Sequence, residues 1–385
     1  MNVWQIIKRE IKEIFIQDPR RIIFVFGAIL LYLFLFGFLY GPGVVKHIPT
    51  LICDEDQSHL SRELIRNLED NESLDIQQEV SSEEELQQAL MNKEVYAAIQ
   101  IPKNFSKDIT QGHSTTVLYM VNGSNLVFAN TTSLAVQDTV NECSDKLAAH
   151  YASLRLGMDE SILKKEITPV HYNLRVINNP TQTYLLFFCI GLAMTAYEQG
   201  LFFAIGASVH YDFNHWTELE NTSLHTLLFG KILIHWLFSM IAFAGFLFFS
   251  GYTWNIPIKA SFLKLFSLTG AFCFAVLLLG MLTSALFSTE LKYVKASLLY
   301  VVPAFILSGY TWPLESMPFY IQWMAKIFFP LTWIASAMRD LLLSGTTRYL
   351  PESIIALLTM GVCCLLFVKK IFKYGCNSHL LKKYE

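Results

Sequence analysis

The chain has 385 residues, 53% of them hydrophobic and 14% aromatic, with only 16% charged. Ordinary soluble domains carry roughly 25% charged residues, which argues against a cytosolic enzyme, a disordered chain or a nucleic-acid binder. The formal net charge of −3 hides an uneven distribution: residues 41–180 hold 11 basic and 20 acidic side chains, the remaining 245 residues 18 and 12. A polar acidic block therefore interrupts an apolar, basic-flanked chain, the pattern of a membrane protein with one large water-exposed insert.

Residues 1–20 begin Trp4-Gln5-Ile6-Ile7-Lys8-Arg9-Glu10-Ile11, apolar positions at helical spacing with basic ones between. That fits a helix lying in the membrane interface; a plain extension of the first span is the alternative. A first transmembrane helix is expected at 21–40, because Ile22 to Tyr40 is nineteen residues without a charge. At ~1.5 Å per residue it covers roughly 28 Å, close to the ~30 Å hydrocarbon core. A cleaved signal peptide has an apolar region of only about 7–15 residues and a small-residue cleavage site. Here the run is longer and Gly41-Pro42-Gly43 follows.

Residues 41–180 alternate strand and helix signals. Ile48–Cys53 reads as a strand, Leu60–Leu68 as a helix, and Ser82 with Glu85 as a capping box before Leu86 to Leu90. Val95–Ile101 reads as a second strand stopped by Pro102, Phe105–Ile109 as a short helix, Thr116–Val121 as a third strand, and Ser124 to about Leu156 as one long helix. The sum is an α/β domain large enough for its own core. The acidic run Asp54-Glu55-Asp56 suggests a cation site or, more simply, a turn that caps a helix. Seven cysteines form no Cys-x-x-Cys motif, and no metal site is expected. Cys53 and Cys143 share this block, and nothing in the sequence pairs or separates them.

Residues 181–372 carry five further spans, at about Thr183–Val209, Ile232–Tyr252, Leu265–Phe287, Ala296–Trp312 and Ser353–Phe372. Residues 314–345 read as a pair of re-entrant or interfacial helices, because Lys326, Pro330, Arg339 and Asp340 break an otherwise apolar segment. A tail covers 373–385. The fold class expected is thus an all-α membrane domain of six transmembrane helices with an inserted extracytoplasmic α/β domain. Basic residues gather at Lys8, Arg9, Lys12, Arg20 and Arg21, at Lys292 and Lys295, and at Lys369, Lys370, Lys373, Lys382 and Lys383. The positive-inside rule places these flanks, and with them both termini, in the cytoplasm, with 41–180 outside; Lys259 and Lys264 dissent.

Glu198 is the one acid in mid-span, beside Gln199. A charge there costs several kcal/mol unless paired, so these two residues belong to a transport path or a helix interface. The segment 211–225 brings Trp216, Leu219 and Leu224 together with Asp212, Glu218 and Glu220. An aromatic anchor with charges suits a docking surface, and an interfacial loop with its Trp at the headgroups is the alternative. No phosphate-binding loop, nucleophile elbow or zinc motif is present in the sequence.

Residues 307–345 read LSGYTWPLESMPFYIQWMAKIFFPLTWIASAMRDLLLSG. This stretch resembles the signature of type-2 ABC (ATP-binding cassette) exporter permeases, through Gly309, Pro313, Glu315, Pro318, Pro330, Thr332 and Arg339. Asp54 to Leu64 and Ile99 to Phe105 resemble the branch with a large extracytoplasmic domain after the first helix. The resemblance implies a permease subunit of an ATP-driven exporter, not itself an enzyme, moving a drug-like, lipid or other amphiphilic compound. It implies a separate cytoplasmic ATPase that binds ATP and Mg, a second permease (the same chain or a sister), a bacterial inner-membrane location and a periplasmic adaptor. It also implies a coupling helix near 211–225, where Asp212, Asn214, Trp216, Thr217, Glu218 and Glu220 occupy the matching positions and Gly230-Lys231 opens the next span. The competing reading is a membrane-anchored receptor or assembly scaffold without a transport cycle.

Overall fold

The computed structural model describes residues 2–41, 43, 45–80, 82–157, 159, 176–180, 183–219 and 222–383. Contacts divide the chain into two compact units, Met1–Gly43 with Val176–Glu385, and Val44–Arg175. The first unit opens with α1 (Val3–Lys12). Asn2 caps it: its side chain accepts from the Gln5 amide at 3.0 Å, and the Gln5 side chain accepts from the Asn2 amide at 2.9 Å. Trp4, Phe15 and Ile16 stay exposed. A wider helical turn, Glu13–Gln17, extends α1. Asp18-Pro19 then breaks it, because proline has no amide to continue the ladder. The chain re-enters a helix, α2 (Arg20–Tyr40), long and apolar enough to cross a membrane.

The second unit is built around a four-stranded sheet, β1 (Ile48–Asp54), β2 (Leu74–Glu79), β3 (Ala97–Ile101) and β4 (Leu118–Val121), in the order β2-β1-β3-β4. β1 runs parallel to β2 and β3, and β4 is antiparallel to β3. Interspersed are α3 (His59–Glu69), α4 (Glu83–Asn92), α5 (Phe105–Gln111) and α6 (Leu126–Leu156). Strand alternation sends Ile52 and Ile99 into one core under α3 and α6, and Leu51, Cys53 and Ala98 into another under α4. Cys143 lies in the first core and Cys53 in the second, both as free thiols, so the sheet separates the two cysteines. β2 is a strand that the sequence reading passes over; its polar Leu-Asp-Ile-Gln-Gln-Glu sequence is that of a sheet edge. The acidic run is a turn. Asp54 accepts from the Asp56 and Gln57 amides, both at 3.0 Å, and from the Ser61 hydroxyl at 2.6 Å, while Asp56 accepts from the Ser106 amide at 3.1 Å. Ser82 accepts from the Glu85 amide at 3.3 Å, as its capping position predicts.

The first unit resumes with α7 (Leu185–Asn214), α8 (Leu224–Trp254) and α9 (Phe262–Ser284), all long and apolar enough to span. α10 (Glu290–Leu307), α11 (Phe319–Phe328), α12 (Leu331–Ser344) and α13 (Leu350–Lys383) complete it, and Leu350–Phe372 of α13 also meets the span criterion. Within the most apolar windows, 67% of α7 and 72% of α9 is buried, against 22% of α2 and 17% of α13. α7 and α9 therefore form the centre, and α2 and α13 turn apolar faces outward.

The helix expected at Ala296–Trp312 begins earlier, at Glu290, and ends at Leu307. Glu290, Lys292 and Lys295 fall in its first turns. The uncharged remainder covers about 18 Å at ~1.5 Å per residue, less than a hydrocarbon core. Five helices thus meet the span criterion among the described residues, and a sixth only if the pair α11–α12, bent by 88°, counts as one. That bend is the break expected near Pro330. Pro330 leads into α12, the Thr332 hydroxyl donates to the Ala325 carbonyl at 3.1 Å, and Trp333 Nε1 donates to the Lys326 carbonyl at 2.9 Å. Trp333 thereby satisfies the Lys326 carbonyl, for which Pro330 has no amide, and Thr332 adds a second bond to the Ala325 carbonyl, which already accepts from the Phe329 amide at 3.1 Å. The elbow makes a prediction: Thr332→Val with Trp333→Phe removes both bonds, each worth about 1 kcal/mol. Amide exchange over 325–333 should accelerate at least tenfold in the double variant while α9 stays protected; unchanged exchange would assign the bend to Pro330 alone.

Candidate functional site

Gly230 and Lys231 lie in the second turn of α8. Gly230 lets α1 come close: a Cβ there would stand 2.9 Å from Ile6 Cγ2. That approach sets Glu10 against Lys231, both fully buried. Lys231 Nζ lies 2.5 Å from Glu10 Oε1 and 2.8 Å from Asp212 Oδ2, and donates to Ser208 Oγ at 2.5 Å. The Ser208 hydroxyl lies 3.0 Å from Glu10 Oε2.

The network continues along α1. Arg9 bridges Glu13 Oε1 at 2.7 Å and Asp212 Oδ1 at 3.0 Å. Arg21, at the start of α2 and buried, reaches Glu13 Oε2 at 3.2 Å and donates to the Ala207 carbonyl at 3.4 Å. The Tyr211 ring faces the Arg9 and Arg21 guanidinium groups at 5.7 and 5.3 Å, and its hydroxyl donates to Gln17 Oε1 at 2.7 Å. Glu10, Glu13 and Asp212 thus face Arg9, Arg21 and Lys231, and the formal charges cancel.

Each ion withdrawn from water costs several kcal/mol, offset only when every partner is in place. The cluster therefore holds α1, the start of α2, the end of α7 and the start of α8 in one arrangement. Burial acts to raise the Glu10 carboxyl, but the Lys231 ammonium overrides it and holds the group at about 2. For Glu13, burial and then the negative charge of Glu10 push the carboxyl up to about 7 against the pull of Lys231 and Arg9. The three carboxylates lie close enough together to hold a metal ion. Three cations already neutralise them, so the arrangement is an ion-pair network rather than a metal centre.

The segment expected to dock a partner forms a short turn between α7 and α8, with one 3-10 turn at Trp216–Glu218. Asp212 is not on its surface: it is fully buried in the cluster. Asn214 and Thr217 are exposed. Trp216 is half-buried and packs inward toward Phe372 of α13, their ring centroids 6.2 Å apart. Leu219 is fully buried below it, and Glu220 lies outside the described residues. His215 stacks on Tyr211 at 4.2 Å.

Glu198 is fully buried, and neither carboxylate oxygen has a hydrogen-bond partner among the described residues. Its neighbour Tyr197 donates to the Ser239 carbonyl at 2.5 Å, and Gln199 Nε2 donates to Ser297 Oγ at 3.1 Å, which ties α7 to α10.

The 307–345 signature resolves into scaffolding contacts. Gly309 ends α10 with φ +81°, a conformation that favours glycine. Pro313 and Pro318 precede the short turn Leu314–Ser316 and α11, and Glu315 is exposed. Arg339 stands over the rings of Tyr310 at 4.8 Å and Phe187 at 5.3 Å, while the Tyr310 hydroxyl bonds the Phe187 carbonyl. The signature residues thus fasten α12 and the segment after α10 to the start of α7.

A sequence model of the ABC-2 family transporter proteins matches residues 20–369. The chain belongs to the ABC-2 transporter family. It is 21% identical over 341 residues to the "Probable multidrug ABC transporter permease YbhR" of Escherichia coli K12, covering 86% of both chains. It is 30% identical over 135 residues to "ABC transporter G family member 20" of Dictyostelium discoideum, a match over 35% of this chain and only 18% of that protein. The matched region of this ABC-2 chain thus includes Arg21, Asp212 and Lys231, but neither Glu10 nor Glu13.

Glu10, Glu13, Arg21 and Lys231 were not singled out by sequence reasoning as site residues. Their signal was present: Arg9, Glu10 and Glu13 lie on one side of an amphipathic helix, and Lys231 is a lone cation within the apolar run 224–254. The cluster predicts strong coupling. Lys231→Met or Glu10→Gln alone should cost about 3–5 kcal/mol by stranding a buried charge, and the double variant less than the sum of the two. Unfolding in detergent measures all four proteins, and additive losses would contradict the pairing. The folded Glu10 carboxyl lies below its unfolded value, so its stabilisation holds above about pH 4.5 and is lost as pH falls toward 2. Glu10→Gln should lose less stability than the parent chain across that window.

Proposed function

We propose that this chain is the permease subunit of an ATP-driven exporter. A separate ABC ATPase binds ATP and Mg in the cytoplasm and docks on the turn between α7 and α8. Both termini then lie in the cytoplasm and the 44–175 unit lies outside. Six crossings result, with α10 and the elbow completing the sixth within a dimer formed with a second copy or a sister chain. The cargo is an amphiphile, drug-like or lipid, and the outer unit hands it to an adaptor. A bacterial inner membrane suits this arrangement.

The observation that carries the reading is the charge cluster. The turn follows directly on the last residues of α7, among them Asp212, and Asp212 is bonded through Arg9 and Lys231 to α1, which in turn holds Arg21 of α2 through Glu13. A push on the turn therefore displaces a packed, charge-neutral body rather than a loose loop. Trp216, seated toward Phe372, conveys the same push to α13. Asn214 and Thr217 face outward and make the ATPase contact, with Glu218 beside them. Glu198 supports a transport path, since an unsatisfied buried carboxylate needs either a proton or a cargo group as partner.

The test uses the permease reconstituted with its ATPase. Thr217→Arg with Asn214→Arg alters exposed positions only. We expect the ATPase to dissociate and export to fall at least tenfold with the permease still folded. Retained copurification and export would refute docking at this turn. Trp216→Ala should instead retain the ATPase but lose the coupling of hydrolysis to export.

A further inference from the structure

A cavity of about 430 Å³ lies between α8, α9 and α13, lined by Leu228, Phe229, Ile232, Leu233, Trp236, Phe274 and Leu365, with His225 and Lys369 at one end. Its volume falls within the range of small-ligand sites. Its geometry is that of one lipid leaflet. From His225 to Trp236 the helix α8 advances about 16 Å at ~1.5 Å per residue, and one leaflet's share of a ~30 Å core is about 15 Å. The Trp236 indole ends the groove and is pinned there by its Nε1 bond to the Gly270 carbonyl at 2.9 Å. At the other end, Lys369 lies in the last turns of the membrane-spanning part of α13, and no carboxylate pairs with it among the described residues.

We infer that this groove holds one anionic phospholipid, with an acyl chain along α8 and its phosphate at Lys369 and His225. The wall is apolar throughout the depth of a leaflet, which suits an acyl chain and excludes a water-soluble anion. Among the described lining residues the one charge is that of Lys369, at the depth where a headgroup phosphate sits, and it is positive. A zwitterionic lipid would bring an ammonium toward the same lysine and gain less. The site lies apart from the charge cluster and does not depend on the coupling reading.

Native mass spectrometry of the purified chain in detergent, with equal amounts of dioleoyl phosphatidylglycerol and dioleoyl phosphatidylcholine, tests it. We expect one phosphatidylglycerol retained per chain, at least fivefold over phosphatidylcholine. Lys369→Glu should abolish that preference, whereas Lys370→Glu, the same charge change on an exposed neighbour, should keep it. Leu233→Trp fills the groove and should remove the retained lipid altogether, and Leu233→Phe should weaken it if the larger residue prevents folding. Equal retention of both lipids, or equal losses from Lys369→Glu and Lys370→Glu, would overturn the proposal.

Discussion

The buried ammonium of Lys231 is the constraint on which the membrane unit depends. An ammonium cannot stand alone in that environment, and its partners come from two other places in the chain: Glu10 from α1, and Asp212 with Ser208 from the end of α7. Those partners require their own counterions, Arg9 and Arg21, which recruit Glu13 and with it the start of α2. Once the first charge is buried, the chemistry of the remaining groups follows. Gly230 is the steric condition for the whole arrangement, since a side chain there would push α1 away.

The cluster changes how the flanking charges are read. Arg9 and Arg21 count toward the positive-inside bias in the sequence, yet both are consumed by buried carboxylates. Lys8, Lys12 and Arg20 remain exposed on that flank and still favour the same orientation. The 307–345 signature is likewise a set of packing contacts. Thr332, Trp333 and Arg339 hold a sharp elbow and a turn against α7, the kind of irregular backbone that a membrane tolerates only when protein covers it.

Much of the fold was legible because hydrophobicity and length decide it. Most of the spans, the elbow at Pro330 and the alternation of the second unit follow from apolar runs and period-two patterns. The misses have physical causes. β2 is a polar edge strand, recognisable only through its pairing with β1. α10 begins six residues earlier in charge-rich sequence than the apolar run suggests and stops before Ser308-Gly309. The candidate site was legible in position but not in role. Asp212 was expected to face a partner and Trp216 to anchor one, whereas both point inward. Residues 200 positions apart meet in this cluster, and no local pattern encodes which charge will find which.

Through the charge cluster, the turn after α7 and the helix α1 move as one body. Spin labels at Lys8 and Thr217, both exposed, measure this directly by electron–electron distance spectroscopy in a background without native cysteines. We expect a single narrow distance that stays the same when the partner ATPase binds ATP, and that broadens in Asp212→Asn and Lys231→Met. A distance that shifts with ATP in the parent chain, or that stays narrow in both variants, would contradict it.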